Sequence, residues 1–289
     1  GSIMLMENLR FYPEETTGDL DFAEKLSKLG DCYVNDAFGT AHRPHASTTI
    51  MAQFFQKDKF FGRLLEKEVN AIEKVMKFGE KPVLAILGGA KVSSKITIIE
   101  NMLDKIDHLI IGGGMVYTFA KAQGGSVGNS ICEEDYCNYA LELLEKAKLK
   151  GVQVHIPVDV IIADDFSNDA QQKVCKVGEI PNDWEGLDAG PETLKSIESV
   201  VMQSRTLLWN GPLGVFEFEN FAAGTIMLGE FIAKSTAEGA FSLVGGGDSV
   251  SAVKQFGFED RMSYISTGGG AMLESLEGKT LPGIAALME

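Results

Sequence analysis

Two lysines follow a glycine pair at a spacing of four residues, in the segment Gly88-Gly89-Ala90-Lys91-Val92-Ser93-Ser94-Lys95. Glycine lets backbone N–H groups approach phosphate oxygens closely, and cations add attraction. Because residues i and i+4 share a helix face, we expect both ammonium groups on one face of a helix that opens just after the glycines. The alternative is a solvated lysine pair, but the preceding glycines favour a phosphate site. The spacing is not that of a Walker A loop, which disfavours an ordinary P-loop NTPase.

A carboxylate follows a second glycine run, in Gly245-Gly246-Gly247-Asp248-Ser249. It would repel a phosphate held by this loop unless a cation lay between them. Mg²⁺ fits, because it binds through one or two carboxylates together with the phosphates. The alternative is that Asp248 only caps the next helix. A third loop runs from Trp209 to Glu217 and is aromatic and apolar, so it could hold a base and a ribose, with the Glu217 carboxylate accepting from a hydroxyl.

A basic cluster is formed by His42-Arg43-Pro44-His45, and Arg10 accompanies it near the start of the chain. The planar guanidinium groups suit bidentate binding of phosphate or carboxylate. Because no cysteine or acidic ligand lies nearby in sequence, anion binding is favoured over metal binding by the histidines. The ranges 37–57 and 81–99 contain no Asp or Glu, although the chain carries a net charge of −15. A small anion could bind in these two ranges. The alternative is that acid-free stretches arise by chance around buried segments.

Length, amino-acid composition and net charge indicate the fold class and disfavour some kinds of partner. The chain has 289 residues, 45% of them hydrophobic, with 32 glycines, which is typical of a compact α/β protein of two domains. Its negative charge disfavours nucleic acid and anionic membranes as partners. No apolar run is long enough to span a bilayer, and no secretory signal occurs. The four cysteines form no C-x-x-C pair, so buried thiols and a cytoplasmic location are expected.

The elements that must position these residues follow from hydrophobic periodicity. Four apolar runs end in glycines, at Gly88, Gly112, Gly245 and Gly268, and each precedes a possible helix start. Beyond Pro82 strands and helices alternate, which predicts a parallel, doubly wound (Rossmann-like) sheet with the loops along one edge. The pattern also predicts the elements that follow. These are strands at 3–6, 33–38, 152–156, 158–163 and 207–209, helices at 62–78, 96–106, 133–150 and 194–203, and a helix capped by Asn220.

Taken together, these segments resemble phosphoglycerate kinases over practically the whole chain. The matching segments are Glu7–Phe11, Tyr33–His45, Leu87–Ile96, Leu109–Thr118, Gly186–Glu192, Leu208–Glu217, Gly245–Ser249 and Ser266–Gly283. The resemblance implies reversible phosphoryl transfer between 1,3-bisphosphoglycerate and ADP, giving 3-phosphoglycerate and ATP, with Mg²⁺ as cofactor. A dehydrogenase is the weakest alternative, because no G-x-G-x-x-G fingerprint occurs.

The resemblance also implies roles for individual residues. Lys91 would meet the transferring phosphoryl group and would be the catalytic residue. Arg10, Arg43, His42 and His45 would bind substrate. The nucleotide-binding set would be Lys95, Gly186, Leu187, Glu217, Gly246, Gly247, Asp248 and Ser249. Asp248 would bind the metal, and Glu68 and Thr267 would lie at inter-domain connections.

The same resemblance predicts the domain organisation. Residues 1–61 would form a partial substrate domain, 62–78 an inter-domain helix, 79–270 the nucleotide-binding domain, and 271–289 a segment returning toward the first domain. The family's additional N-terminal stretch has no counterpart here, so the second α/β domain is expected to be incomplete and turnover poor. The alternative is a catalytically incompetent fragment that binds Mg-nucleotide. We expect a monomer, with self-association through the exposed sheet edge at Ile3–Leu5.

Overall fold

The computed structural model describes residues 1–288, which divide by packing into two units. The first unit contains Gly1–Asn70 and the described residues from Thr267 onward, and the second contains Ala71–Ser266. The chain passes from the first unit to the second within one helix, Arg63–Met76. This helix agrees with the helix predicted at 62–78. The functional labels attached to the predicted domains stay predictions.

The secondary structure is that of a mixed α/β protein. The α-helices are α1 (Pro13–Thr17), α2 (Leu20–Ser27), α3 (Arg63–Met76), α4 (Ile96–Met102), α5 (Met115–Ala122), α6 (Cys137–Leu149), α7 (Pro191–Gln203), α8 (Ala223–Ala237), α9 (Gly247–Gln255), α10 (Gly269–Leu276) and α11 (Pro282–Met288). The strands are β1 (Tyr33–Asn35), β2 (Lys59–Phe61), β3 (Val83–Leu87), β4 (His108–Ile111), β5 (Ser126–Val127), β6 (Gln153–His155), β7 (Asp159–Ala163), β8 (Gln172–Lys176), β9 (Glu179–Ile180), β10 (Glu185–Ala189), β11 (Thr206–Asn210), β12 (Phe241–Val244) and β13 (Tyr264–Ile265). Short 3₁₀ turns cover Leu9–Phe11, Phe38–Thr40, Ile50–Phe54, Glu134–Tyr136, Glu219–Phe221 and Glu259–Arg261.

The second unit is built on a six-stranded sheet in the order β13-β12-β11-β3-β4-β6, with every neighbouring pair parallel. The predicted α/β class with a parallel sheet is therefore confirmed. All five residues of β3 and of β11 are buried, which explains why these strands are apolar runs without alternation. Leu84, Ile86 and Trp209 belong to the main apolar core, which the strands share with α7 and α8.

A smaller sheet accompanies the central one. The antiparallel strands β10-β7-β8 form it, and a bulge between Gly186 and Asp188 interrupts the β10–β7 pairing. Pro157 separates β6 from β7, as the sequence predicts. Within residues 1–288 no helix is both long and apolar enough to cross a membrane.

The first unit contains a two-stranded parallel sheet in which Tyr33 of β1 stands opposite Lys59 of β2. The strand predicted at 3–6 is wrong. That segment has no regular structure, and Ile3 and Leu5 are 99% and 95% exposed. No strand within residues 1–288 lies beside it to satisfy its backbone hydrogen bonds, which a strand requires. The sheet edge through which self-association was expected is therefore absent at this position.

The helix ends predicted from single residues are confirmed at two positions and wrong at a third. Pro191 is the first residue of α7, and Gly151 follows α6 with φ +74°, both as predicted. The predicted cap at Asn220 is wrong, because α8 begins at Ala223 and the Asn220 amide donates to the Asn168 carbonyl instead, at 2.8 Å. The Asp188 carboxylate, distant in sequence, accepts the N–H of the second residue of α8.

Candidate active site

Three loops at the carboxyl edge of the central sheet meet through backbone contacts that only glycine permits. A Cβ on Gly88 would lie 2.1 Å from the Pro212 carbonyl oxygen, and one on Gly113 would lie 2.7 Å from the Gly89 nitrogen. Gly113 also has φ +63°, in the left-handed region. The Gly88 N–H donates to the Asn210 carbonyl at 2.9 Å. The glycine turns predicted from sequence therefore join β3, β4 and β11 into one continuous backbone surface.

A cavity of about 290 Å³ opens beside these loops, within the second unit. Its volume is near the lower end of the range for small-molecule sites. The lining residues are Gly89, Ala90, Gly113, Gly114, Tyr117, Ile131, Phe166, Glu185, Gly186, Leu187, Pro212, Leu213, Gly214, Val215, Glu217 and Asp248. It brings together Gly186, Leu187, Glu217 and Asp248 from the residues predicted to bind nucleotide.

Four further lining residues were not predicted from sequence: Tyr117, Ile131, Phe166 and Glu185. Tyr117 follows the Gly112–Gly114 turn in the first turn of α5, and that proximity is a signal that could have indicated it. The others come from the segment after β5, from the β7–β8 hairpin and from the start of β10, and no local pattern marks them.

One wall of the cavity is fitted around Gly186. A Cβ at this position would lie 2.0 Å from the Tyr117 hydroxyl oxygen, so a larger residue here would require the buried Tyr117 side chain to move. Its N–H donates to the Ser130 hydroxyl at 2.9 Å. Burial raises the pKa of the neighbouring Glu185 carboxyl, and the negative charge of Asp165 raises it further. This wall therefore combines a close backbone approach with a carboxyl group that holds its proton more tightly than usual.

The two lysines do not share a helix face, so that prediction is wrong. Helix α4 begins at Ile96, and Lys91 and Lys95 lie in the loop before it. Fixed points within the loop explain the late start. Val92 is fully buried, the Lys95 N–H donates to its carbonyl at 2.8 Å, and the Ser94 hydroxyl donates to the Lys91 carbonyl at 2.8 Å. The loop is a separate structure and not the first turn of the helix.

Lys95 is the more buried of the two lysines. Burial lowers the pKa of its ammonium group, and the nearby Asp248 carboxylate opposes that shift. The ammonium group donates to the Asn210 side-chain oxygen, and the Asn210 amide donates to the Gly245 carbonyl at 2.7 Å. Lys91 is exposed. Among the residues that the structure describes, neither lysine lines the cavity itself.

The Gly245–Ser249 turn leads into α9. Gly246 has φ +92° and is buried, whereas Gly247 and Asp248 are exposed at the start of the helix. The Ser249 side chain is fully buried and its oxygen accepts the Gly211 N–H at 2.5 Å. The Ser249 hydroxyl therefore stabilises the β11 loop and does not face the cavity.

The residues at this edge fit a metal ion that is held mainly by a ligand. Asp248 is an exposed carboxylate on the cavity wall, and within residues 1–288 no group of three or more His, Cys, Asp or Glu residues could hold a metal by itself. Mg²⁺ usually takes one or two protein carboxylates and completes its shell with phosphate oxygens and water. Asp248, at the start of α9 beside the Gly245–Gly247 turn, matches that donor set.

The predicted substrate residues lie in the first unit. Arg10 and Arg43 are exposed, and the Arg43 Nε donates to His42 Nε2 at 3.3 Å. The His42 ring packs against the first turn of α10, since a Cβ on Gly270 would lie 3.3 Å from its Nε2. The two exposed guanidinium groups can present positive charge to an anion.

His45 lies below that surface, contrary to the expectation of a basic patch that includes it. It is 5% exposed, and its Nδ1 lies 3.9 Å from the buried Glu15 carboxylate. Burial lowers the pKa of His45, although the Glu15 charge opposes the shift. The same carboxylate accepts the Ser47 N–H at 3.0 Å and the Ser47 hydroxyl at 2.6 Å. His45 therefore belongs to a buried polar cluster that holds the loop after Arg43.

Comparison with known proteins gives a consistent result. The family model for phosphoglycerate kinase matches residues 1–279. A phosphoglycerate kinase of Porphyromonas gingivalis is 51% identical over 99% of this chain and 74% of its own length. A cytosolic phosphoglycerate kinase of Nicotiana tabacum is 52% identical over 99% of this chain and 71% of its own length.

Solved structures agree with these relatives. The phosphoglycerate kinase of Coxiella burnetii superposes with a TM-score of 0.93 at 45% identity, and that of Pyrococcus horikoshii with a TM-score of 0.80 at 32% identity. In both cases 97% of this chain and 71% of the other chain are covered. Family model, sequence relatives and structures all point the same way, and the chain belongs to the phosphoglycerate kinase family.

Proposed function

We propose that this chain catalyses reversible phosphoryl transfer between 1,3-bisphosphoglycerate and ADP, giving 3-phosphoglycerate and ATP, and that the cavity of the second unit binds the nucleotide. The observation that carries the proposal is the convergence of glycine turns, Glu217 and Asp248 on one cavity in a member of this family. A cytosolic location, as in the name of the tobacco relative, is proposed with it.

Phosphoryl transfer requires little covalent help from a protein, so positioning and charge neutralisation supply most of the catalysis. The Leu187 side chain and the backbone at Gly186 would contact the base, and the Glu217 carboxylate would accept from a ribose hydroxyl. Lys95 would contact the nucleotide phosphates, with Asn210 fixing its ammonium group. The exposed Lys91 would meet the transferring phosphoryl group and neutralise charge that develops there.

Asp248 would hold Mg²⁺ together with the nucleotide phosphates. When bound, the ion neutralises phosphate charge and orients the phosphate oxygens. The turn at Gly246 and Gly247 would place backbone N–H groups near the same phosphates at the start of α9. In the first unit, Arg10, Arg43 and His42 would bind the anionic groups of phosphoglycerate, since a guanidinium group suits phosphate and carboxylate oxygens.

Turnover and binding are best measured separately. A coupled assay for ATP formation would test the kinase reaction, and calorimetry with Mg-ADP would test the nucleotide site. Lys91→Met should abolish turnover while ADP still binds. Lys148→Met, on the exposed side of α6, is the matched control and should match the parent in both assays. A parent chain that neither binds ADP nor turns over would refute the proposal. Binding without turnover would assign nucleotide binding alone.

A further inference from the structure

A carboxylate from a separate segment of the chain, Glu133, contacts the loop that carries Lys91 and Lys95, called here the lysine loop (residues 91–95). Both oxygens of Glu133 accept hydrogen bonds from Ser93, one from the backbone N–H at 3.0 Å and one from the hydroxyl at 2.6 Å. Ser93 lies midway between Lys91 and Lys95. Glu133 comes from the segment before α6, 40 residues further along the chain, so this is a tertiary contact and not a feature of the loop's own turn.

Glu133 is itself held in place. Its backbone N–H donates at 3.0 Å to the hydroxyl of Thr118, which is 1% exposed within α5. Helix α5 starts after the Gly112–Gly114 turn, and Gly113 and Gly114 of this turn pack against Gly89 and Ala90 in the loop after β3. The carboxylate therefore connects the lysine loop to a buried point on a neighbouring helix.

The same short segment also reaches the cavity. Ile131, two residues before Glu133, lines the cavity, and a Cβ on Gly114 would lie 2.5 Å from its Cγ2 atom. Three consecutive residues, 131–133, thus connect the cavity wall to the lysine loop. A carboxylate beside a phosphate-binding loop would ordinarily weaken anion binding. Here its two oxygens are engaged by Ser93 donors, so its effect is to fix the loop.

We infer that Glu133 is a positioning residue, which holds Lys91 and Lys95 at the phosphate end of the nucleotide while the same segment contacts the occupant of the cavity. The inference rests on the proposed nucleotide function. It distinguishes between parts of the ligand, because Glu133 should support binding of the phosphates and have little effect on the nucleoside.

The test compares ADP with adenosine by calorimetry. Adenosine lacks the phosphates, so a general loss of structure would weaken both ligands, whereas a displaced lysine loop would weaken only ADP. We expect Glu133→Ala to weaken ADP binding about tenfold, the size of a lost hydrogen bond to a charged group, and to leave adenosine binding unchanged. Glu133→Gln keeps one acceptor oxygen and should give a smaller loss. Ser93→Ala removes only the hydroxyl bond, and adding it to Glu133→Ala should cause no further loss.

The neighbouring acid provides a matched control. The Glu134 side chain forms an exposed ion pair with Lys121 at 3.5 Å, so Glu134→Ala should leave the affinities for both ligands unchanged. An unchanged ADP-to-adenosine affinity ratio in Glu133→Ala would overturn the inference while leaving the proposed function standing. A parent chain that binds no ADP would refute the proposed function, and the inference with it.

Discussion

As the pH rises above 5, the second unit of the Asp188→Asn variant should gain stability relative to the parent. Asp188 is 2% exposed, and burial raises the pKa of its carboxyl to about 7, although two N–H groups donate to it. These donors belong to Gly224, at 2.7 Å, and to Ala189, at 2.8 Å. Because an unfolded chain restores the ordinary pKa, the folded state binds its proton more tightly than the unfolded state does.

The direction in which stability changes with pH follows from the difference in proton binding between the folded and unfolded states. Between the unfolded pKa near 3.8 and the folded pKa near 7, the folded state carries more protons, so the free energy of unfolding falls as the pH rises. Each unit of pKa difference is worth about 1.4 kcal/mol. From pH 5 to pH 8 the parent should therefore lose about 3 kcal/mol at this site, and an asparagine, which does not titrate, should lose nothing.

Urea unfolding between pH 5 and pH 8 measures this difference. Both tryptophans, Trp184 and Trp209, lie in the second unit, so their fluorescence reports the unit that contains Asp188. Changes in midpoint at constant slope give the stability difference. Asp183→Asn, at an exposed aspartate shortly before β10, is the control and should show no change in its stability difference from the parent. A difference for Asp188→Asn that stays flat, or that grows in favour of the parent, would refute the reasoning, because it would mean that the N–H donors outweigh burial.

Three further changes test the site and the sheet. Lys95→Met should weaken ADP binding about tenfold or more, since a hydrogen bond to a charged group contributes about 1.5–3 kcal/mol. Adenosine binding should be unchanged. Equal losses of affinity for both ligands in calorimetry would contradict the role of Lys95 at the phosphates. Asp248→Asn should remove most of the magnesium dependence of ADP affinity, and a titration at several Mg²⁺ concentrations that matches the parent would contradict the metal role. His155 lies 3.2 Å from His108 between β6 and β4, and burial together with His108 lowers the pKa of His155. The free energy of unfolding of the parent should therefore fall as the pH drops below about 6.5. In His155→Phe, urea unfolding should show a smaller fall over the same pH range. An equal fall in variant and parent would contradict the role of His155.

The parts of the fold that could be predicted are those set by nearby residues. The apolar run Val83–Leu87 specifies a buried parallel strand, and Gly88 ends it because the loop after β11 approaches its backbone too closely for any side chain. Pro191 and Gly151 mark helix ends for equally local reasons. Such signals depend on the conformations available to a few consecutive residues, and sequence carries them directly.

The incorrect predictions share a different cause. His45 was expected to join a basic patch that binds substrate, but it is buried beside the Glu15 carboxylate, 30 positions earlier in the chain. Asn220 has the chemistry of a helix cap, but it bonds to Asn168, and the first turn of α8 takes its acceptor from Asp188. The segment 3–6 has strand propensity but no neighbouring strand within the described chain. In each case a tertiary partner, or its absence, overrides a local preference.

The candidate site combines both kinds of information, which explains why its backbone was easier to predict than its side chains. Glycine turns can be located from sequence because close backbone contact excludes every other residue. The lysines could be identified but not placed, because their positions depend on Asn210 and on Glu133, which lie on other segments of the chain. Remote residues should therefore control the phosphate end of the site more strongly than the loop's own sequence does. Substitutions at Asn210 or Glu133 should change phosphate affinity at unchanged lysine identity, which the i, i+4 lysine spacing alone would never suggest.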